Sequence, residues 1–311
     1  MADSVAKSTD INTTSSQKEL GDKMFRCPHC KKTNSVKAGL RKNIGGWVQK
    51  YLCNECGKMF VNRKGFEHCH TKPEIIVDAL DLRAKGMSLG KIVDHINQKY
   101  KTNIQRGTVL RWQKKFGEMI DHFTSSFQLW FSENAHADET YLRKKGHKKD
   151  EFVYYWDVID YDTKFLIADH ISIEKNEIEG LIFIRKLREN LEKFPIWLHT
   201  DNSFDYPPAI RAVFPRKQVK HVRSPAWKHQ FKNNPIERFH NTLRENYKVM
   251  RKFQSADSAY DYLKFFRNYY NFLRPHNTLN RRTPAEAAGF GRWNWWSLIR
   301  AIIIRKILLP I

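Results

Sequence analysis

No part of this 311-residue chain is long and uncharged enough to cross a bilayer as a helix, which takes about 20 predominantly apolar residues. The one candidate, WNWWSLIRAIIIRKILLPI at 293–311, is interrupted by Arg300, Arg305 and Lys306. It reads instead as an amphipathic or apolar helix that docks on another subunit or on its own core. Residues 1–22, MADSVAKSTDINTTSSQKELGD, lack the apolar segment of a secretory signal and are expected to form a disordered lead. Cysteine is scarce: there are five, four of them in two CxxC pairs. That pattern excludes a disulfide-dense scaffold and fits a metal site in a reduced, cytoplasmic setting. Acidic residues are also in deficit, 33 against 55 Lys and Arg, which leaves a formal charge of +22. Such an excess calls for a polyanionic partner, either nucleic acid or an acidic membrane surface. There is no internal repeat, and 41% hydrophobic residues suffice to bury a core in two or three domains.

What is present begins with CPHC at 27–30 and CNEC at 53–56, separated by 22 residues. Each CxxC presents two thiolates to one ion, so Cys27, Cys30, Cys53 and Cys56 together predict a closed, tetrahedral structural zinc site. A hairpin around NIGGW absorbs the gap, giving a zinc ribbon over 23–70. His68, Cys69 and His70 fall outside a site that four cysteines already fill.

From Pro73 the apolar residues recur with helical spacing. PEIIVDALDLRAKG predicts a helix burying Ile75, Ile76, Ala79, Leu80 and Leu82. In MSLGKIVDHINQKY, Ser88 is the expected N-cap, with Leu89, Ile92, Val93 and Ile96 inward. IQRGTVLRWQKKF follows, with Val109, Leu110 and Trp112 inward and Gln105, Arg106, Thr108, Arg111, Lys114 and Lys115 outward. Three short helices over 71–122 suggest either a helix-turn-helix, its last helix entering a DNA major groove, or a plain three-helix bundle with a solvated basic face. Behind a zinc ribbon in so basic a chain, DNA binding is the reading adopted.

Near residue 130 the period changes to two. ENAHADETYLR, EFVYYWDVIDY and KFLIADHISI read as three strands of a meander. A helix to Pro195, the strand PIWLHT, a short helix near YPPAIRAVF, the strand KQVKHV and a long helix from Asn234 to about Phe253 complete a mixed α/β order. Asp138 lies in the first strand, Asp201 ends the fourth and Glu237 opens the long helix. Parallel neighbouring first and fourth strands would set the two aspartates side by side. Carboxylates about 4 Å apart repel by roughly 4 kcal/mol at an effective dielectric near 20, a cost that divalent cations such as Mg2+ or Mn2+ remove. Competing acids are Glu139 for Asp138, Asp205 for Asp201, Glu245 for Glu237, and the strand acids Asp157, Asp160 and Asp162.

The three acids stand in HADET, HTDNS and NNPIERFHNTLRE, separated by 62 and 35 residues, and YYNFLRPHNTLNRRTPAEAAG follows at 269–289. Together these resemble the DDE transposases of insertion sequences, whose core is that of retroviral-type integrases. The resemblance implies an RNase H-like core over 130–290, a mixed five-stranded sheet with flanking helices. It also implies that Asp138, Asp201 and Glu237 hold two Mg2+ or Mn2+ ions that serve strand cleavage and strand transfer. The partners implied are the terminal inverted repeats of a prokaryotic mobile element, target DNA at the nucleoid, and further copies of the chain in a homodimer or larger assembly. A basic residue seven positions after the glutamate is common in the family. Here it is Arg244, where lysine is more usual, and with Lys248, Arg251 and Lys252 it forms either a phosphate track or a solvated helix face. Ile236, Phe239, Leu243, Tyr247 and Met250 read as core, and His199 as facing the sheet or standing behind the acids. Trp227 and His229 belong to a loop that in relatives often meets DNA ends.

Overall fold

The computed structural model describes residues 26–43, 46–61, 66, 69–125, 127, 132–146, 149, 151–191, 197–214, 218–223 and 234–308. Two compact units divide the chain, Met1–Lys72 with Ile303–Ile311, and Pro73–Ile302. The expected lead at 1–22, together with His68, Trp227 and His229, lies outside the described residues.

In the first unit β1 (Ser35–Asn43) and β2 (Gly46–Cys53) form the expected antiparallel hairpin, and β3 (Met59–Val61) adds to β2. Two matching turns hang from this sheet. Lys31 N–H bonds to Cys27 O and Gly57 N–H to Cys53 O, and Lys31 and Gly57 take φ of 63° and 68°. The left-handed residue after each CxxC curls both thiols of the pair toward one point.

The second unit begins with α1 (Pro73–Ala84), α2 (Leu89–Tyr100) and α3 (Arg106–Thr124). Ser88 caps α2 as expected, its side chain accepting from Lys91 N. Ile75, Ile76, Ala79, Leu80, Ile92 and Ile96 are buried, while Leu82, Leu89 and Val93 are half-buried. Leu110 departs from expectation by being 43% exposed. A helix buries one stripe, here Val109, Trp112, Gln113 and Phe116, and Leu110 lies about 100° away from its start. Gln113 enters that stripe because its amide oxygen accepts from the buried Arg83 guanidinium at 2.9 Å. The rest of α3 packs on α7 (Ala256–Phe272), where Gly117 lets the Phe265 backbone approach.

A five-stranded sheet forms the centre of the unit: β4 (Asn134–Lys144), β5 (Glu151–Asp160), β6 (Leu166–Ser172), β7 (Trp197–Thr200) and β8 (Lys220–Arg223). Its order is β6-β5-β4-β7-β8, antiparallel through the meander and parallel from β4 to β7 and β7 to β8. One face carries Ala135, Ala137, Trp156, Val158 and Leu198, packed against α4 (Glu177–Glu189) and α5 (Tyr206–Val213). On the other face α6 (Asn234–Lys248) buries Ile236, Phe239, Leu243 and Tyr247, as their spacing requires, and Met250 is half-buried.

Two helices end earlier than their patterns suggested. α4 stops at Glu189 rather than at Pro195, where Asn190 becomes the C-cap and its side chain donates to Ile167 O. α6 stops at Lys248 rather than near Phe253. There Arg251 turns left-handed (φ 65°), and Tyr247 Oη donates to Arg143 O and Arg251 O, fixing the turn to β4. The short α8 (Pro284–Ala287) is closed by a capping box of Thr283 and Glu286. α9 (Trp295–Leu308) places Trp295, Leu298, Ile299 and Ile302 in the core of its own chain. The Trp295 indole stacks on Phe265 and donates to Asp81. Among the described residues no helix is long and apolar enough to cross a membrane.

Arg267 of α7 joins the layers, donating to Asp121 of α3 and to Asp169 of β6. Removing one partner of a buried ion pair leaves uncompensated charge, which costs about 3–5 kcal/mol. Arg267→Met should therefore lower the urea-unfolding free energy by about that amount, more than Arg185→Met on the exposed side of α4.

Candidate active site

The register of β4 and β7 places the first two acids. Asn134, Ala135 and His136 pair with Trp197, Leu198 and His199, so extending the parallel register by two residues brings Asp138 beside Asp201. Thr200 Oγ1 donates to Asp201 O, and Asp201 Oδ1 accepts from Ser203 N at 2.8 Å, fixing the carboxylate at the open end of the strand. Successive residues of β4 point to opposite faces, so Asp138 lies toward α6 and Glu139 toward α5. Asp201, just past its strand, is within reach of both. One carboxylate oxygen from each of Asp138, Glu139 and Asp201 lies within 4.8 Å of the others.

Glu237 is placed differently. It is exposed in the first turn of α6 and is not a member of that three-acid group. One turn later His240 is buried, its Nε2 2.8 Å from Asp157 Oδ2 and its Nδ1 3.7 Å from Asp138 Oδ2. Another turn on, Arg244 donates to Thr140 Oγ1 at 2.7 Å. Helix α6 thus runs alongside β4, with Glu237 one turn before the residue that meets Asp138.

The competing acids are separated by their surroundings. Asp160 accepts from Ser132 and Thr163 and shapes the β5–β6 turn. Asp205 accepts from Ser203 Oγ beside α5, and Glu245 lies on the outer side of α6. Glu139 accepts from Lys175 and from Tyr206 Oη. Asp157 is fully buried, directly opposite Asp138 in the β4–β5 pairing. Its neighbour across β6 is Asp169, which accepts from Tyr155 Oη and Arg267. Sequence reasoning missed both His240 and Asp169. The signal for His240 was its place three residues after Glu237 on the apolar side of the helix; Asp169 had none without the register.

Burial pushes the Asp138 carboxyl up to about 7 against the pull of His240, and Glu139, Asp157 and Asp201 reinforce the rise. Burial also pushes Asp157 up to about 6, with His240 opposing it. Burial works against charge on His240, yet Asp157 and Asp138 raise its pKa on balance. Clustered oxygen donors with a carboxyl that resists ionising alone fit a hard divalent cation such as Mg2+.

Near the other end of α6, Arg143, Arg244, Lys248 and Arg251 with Tyr141 line a groove of about 830 Å³. On α3, Gln105, Arg106, Arg111 and Lys114 are exposed, while Thr108 and Lys115 are half-buried. Lys114 is 3.3 Å from Asp261 of α7 and 3.9 Å from Glu118, and Arg111 donates to Thr108 Oγ1. His199 faces the sheet as expected, stacked on His136 at 4.6 Å.

The four cysteines of the first unit converge. Cys27 Sγ is 3.7 Å from Cys56 Sγ, and Cys30 Sγ is 3.4 Å from Cys53 Sγ. Tetrahedral zinc with Zn–S bonds of about 2.3 Å sets its sulfurs about 3.8 Å apart, so the residues fit the ion. Cys53 is lowered to about 7: burial opposes ionisation, but hydrogen bonds from the Cys56 backbone and the Cys30 thiol outweigh it.

Two outcomes follow. Chelation of the full chain should release one zinc per chain and collapse the amide spectrum of the ribbon, and Cys53→Ser should bind none. At the carboxylates, a folded pKa near 7 against about 4 unfolded means that Asp138 contributes stability below pH 4 that is lost as the pH rises to 7. A cation offsets that loss. Magnesium at 10 mM should raise Tm by a few degrees more at pH 8 than at pH 5.5 in calorimetry, and Asp138→Asn should remove most of the difference.

Residues 132–276 match a family described as a DDE domain. No curated protein matches the chain. Among solved structures, the catalytic core domain of BIV integrase aligns at 14% identity, covering 51% of this chain and 94% of that one, with a TM-score of 0.37. A simian T-cell lymphotropic virus intasome chain, solved in complex with the PP2A regulatory subunit B56 gamma, aligns at 12% identity over 53% and 57%, with a TM-score of 0.40. The HTLV-2 integrase catalytic core domain in complex with magnesium, in its trimeric form, aligns at 15% identity over 49% and 95%, with a TM-score of 0.33. The matched DDE domain spans the sheet, α6 and the acids between them, so this part of the chain is a DDE domain of the transposase type.

Proposed function

We propose that the chain binds the terminal inverted repeats of its mobile element and that Asp138, Asp201 and Glu237 hold the divalent ions, two Mg2+ or Mn2+, that its cleavage and joining reactions use. The observation that carries this reading is the parallel β4–β7 register, which draws Asp138 beside Asp201 and beneath α6. Bound there, the ions would supply the positive charge that activates an attacking hydroxyl and steadies a leaving oxygen. Asp138 would hold them from β4, Asp201 from the end of β7 and Glu237 from the first turn of α6. His240 holds Asp138 from behind, and Arg244 anchors α6 to Thr140.

The DNA is proposed to lie along the basic surfaces. Gln105, Arg106, Thr108, Arg111, Lys114 and Lys115 would meet it from a helix-turn-helix formed by α1 to α3, and Arg244 and Lys248 would meet it from the groove along α6. Structural zinc at the four cysteines would stiffen the ribbon. A homodimer or larger assembly would hold two element ends together, in the prokaryotic cytoplasm at the nucleoid.

A second reading concerns the third ligand. Glu139 stands within 4.8 Å of both aspartates, so it competes with Glu237 for the ion. One assay separates the readings: Mg2+-dependent cleavage and strand transfer on the element's terminal DNA. Asp201→Asn should lower both steps by at least about a thousandfold, as befits loss of transition-state charge stabilisation, while end binding persists. A similar loss in Glu237→Gln with activity kept in Glu139→Gln supports the proposed triad, and the reverse result assigns the place to Glu139. Wild-type binding without cleavage under Mg2+ and Mn2+ alike would refute the reading.

A further inference from the structure

Helix α6 has a second basic flank that the triad does not use. Arg238, Asn241 and Thr242 on this flank face the segment after α7, and together with Arg274, Asn277 and Arg281 they enclose a cavity of about 390 Å³. None of the residues lining it is a carboxylate. Among the described residues no ion pair engages Arg238, Arg274 or Arg281. Their nearest polar partners are neutral: Arg274 Nη1 lies 3.2 Å from His276 Nε2, and Arg281 Nη1 donates to Asn277 Oδ1 at 3.3 Å.

The wall is rigid. Within 276–282 the backbone closes on itself, Arg281 N to His276 O, His276 N to Arg282 O and Asn280 N to Asn277 O. Asn280 and Arg281 both hold left-handed backbone, at φ of 54° and 65°. An arginine in that region costs energy that a solvated loop would shed, and such strain persists where the surroundings hold a side chain in place. The buried His276 ring stands edge-on to Tyr270 at 4.7 Å and roots the loop in the core. Burial and the neighbouring Arg274 lower His276 to about 4, so the positive charge of the cavity at neutral pH comes from its arginines.

We propose that this cavity binds the sugar-phosphate backbone of a DNA strand, with Arg238, Arg274 and Arg281 facing the phosphates. The proposal rests on the DNA-processing reading above and gives the RPHNTLNRR segment a task in it. Guanidinium forks match phosphate oxygens two at a time. The volume falls in the range of about 300–1,000 Å³ that holds molecules larger than a single inorganic anion. The cavity is also continuous with a longer track. Asn241 lines both it and the groove of Arg244 and Lys248, so the two basic surfaces meet on the ridge of α6. Arg238 and Lys248 are ten residues apart on that helix. At 1.5 Å per residue this is about 15 Å, along which one strand of duplex DNA presents four or five phosphates at roughly 3.4 Å of axis each. A strand held in the cavity passes beside the turn that carries Glu237.

The test is binding of the full-length chain to a mixed-sequence 30-base-pair duplex as a function of salt. Each lost phosphate contact lowers the slope of log affinity against log salt by about 0.9. Arg274→Ala with Arg281→Ala should lower it by about 1.8 and weaken binding roughly ten- to a hundredfold at 0.1 M salt. Arg238→Ala, on an exposed helix surface where refolding of the loop is not at issue, should lower it by about 0.9. Arginine-to-lysine versions should keep most of the slope, and Arg185→Ala on α4 should leave it unchanged. Unchanged slopes in all cavity variants, while the wild type binds, would overturn the proposal and leave the transposase reading standing. An equal fall in Arg185→Ala would overturn it as a mere net-charge effect. If inorganic phosphate stabilises the wild type but not the variants while the slopes stay equal, the cavity is a small-anion site and the strand assignment fails. A wild type that binds no DNA would overturn the DNA-processing reading and the cavity assignment with it.

Discussion

Three aspartates stand side by side across one face of the sheet, Asp138 on β4, Asp157 on β5 and Asp169 on β6, joined by the strand register. Like charges in such a row, shielded from water, repel, so each carboxyl is either answered by a cation or keeps its proton to higher pH. Asp169 receives the Arg267 guanidinium from α7, and Asp157 receives the His240 imidazole from α6. The two helices that cover this face thus bring the cations the row requires.

Asp138 is answered least. His240 reaches it only at 3.7 Å while bonding to Asp157 at 2.8 Å, and Glu139 and Asp201 add further negative charge. Its carboxyl is consequently held near 7 by burial and by its neighbours. The row therefore grades from a paired end, which stabilises the fold, to an end whose carboxyl is left with the weakest partner. Stability and chemistry draw on the same electrostatic problem, solved at one end and left open at the other.

The same contrast applies to the basic surface. Lys264 and Arg267 of α7 are neutralised by Asp121 of α3 and serve to join layers. Arg238, Arg274 and Arg281 have no such partners among the described residues and sit in a loop and helix flank braced by backbone bonds. A charge of +22 is thus spent unevenly, part on cohesion and part on a surface that faces outward.

Much of this was legible in the chain. Local chemistry determined the CxxC knuckles and their hairpin, the Ser88 cap, the period-two strands of the meander and the apolar stripe of α6, because each depends on neighbours a few residues away. The resemblance in HADET, HTDNS and NNPIERFHNTLRE marked the domain. Sequence did not reveal where α4 and α6 end, since Asn190 and Tyr247 fix those ends through bonds to β6 and β4. α7 went unread although Ser255 caps it, because its dense aromatics mask the period. Nor could spacing rank Asp138, Asp157 and Asp169, whose roles differ only through the cation that a distant helix delivers. Which carboxylate is paired and which is left open is a matter of distances across the sheet, and tertiary packing alone sets those distances.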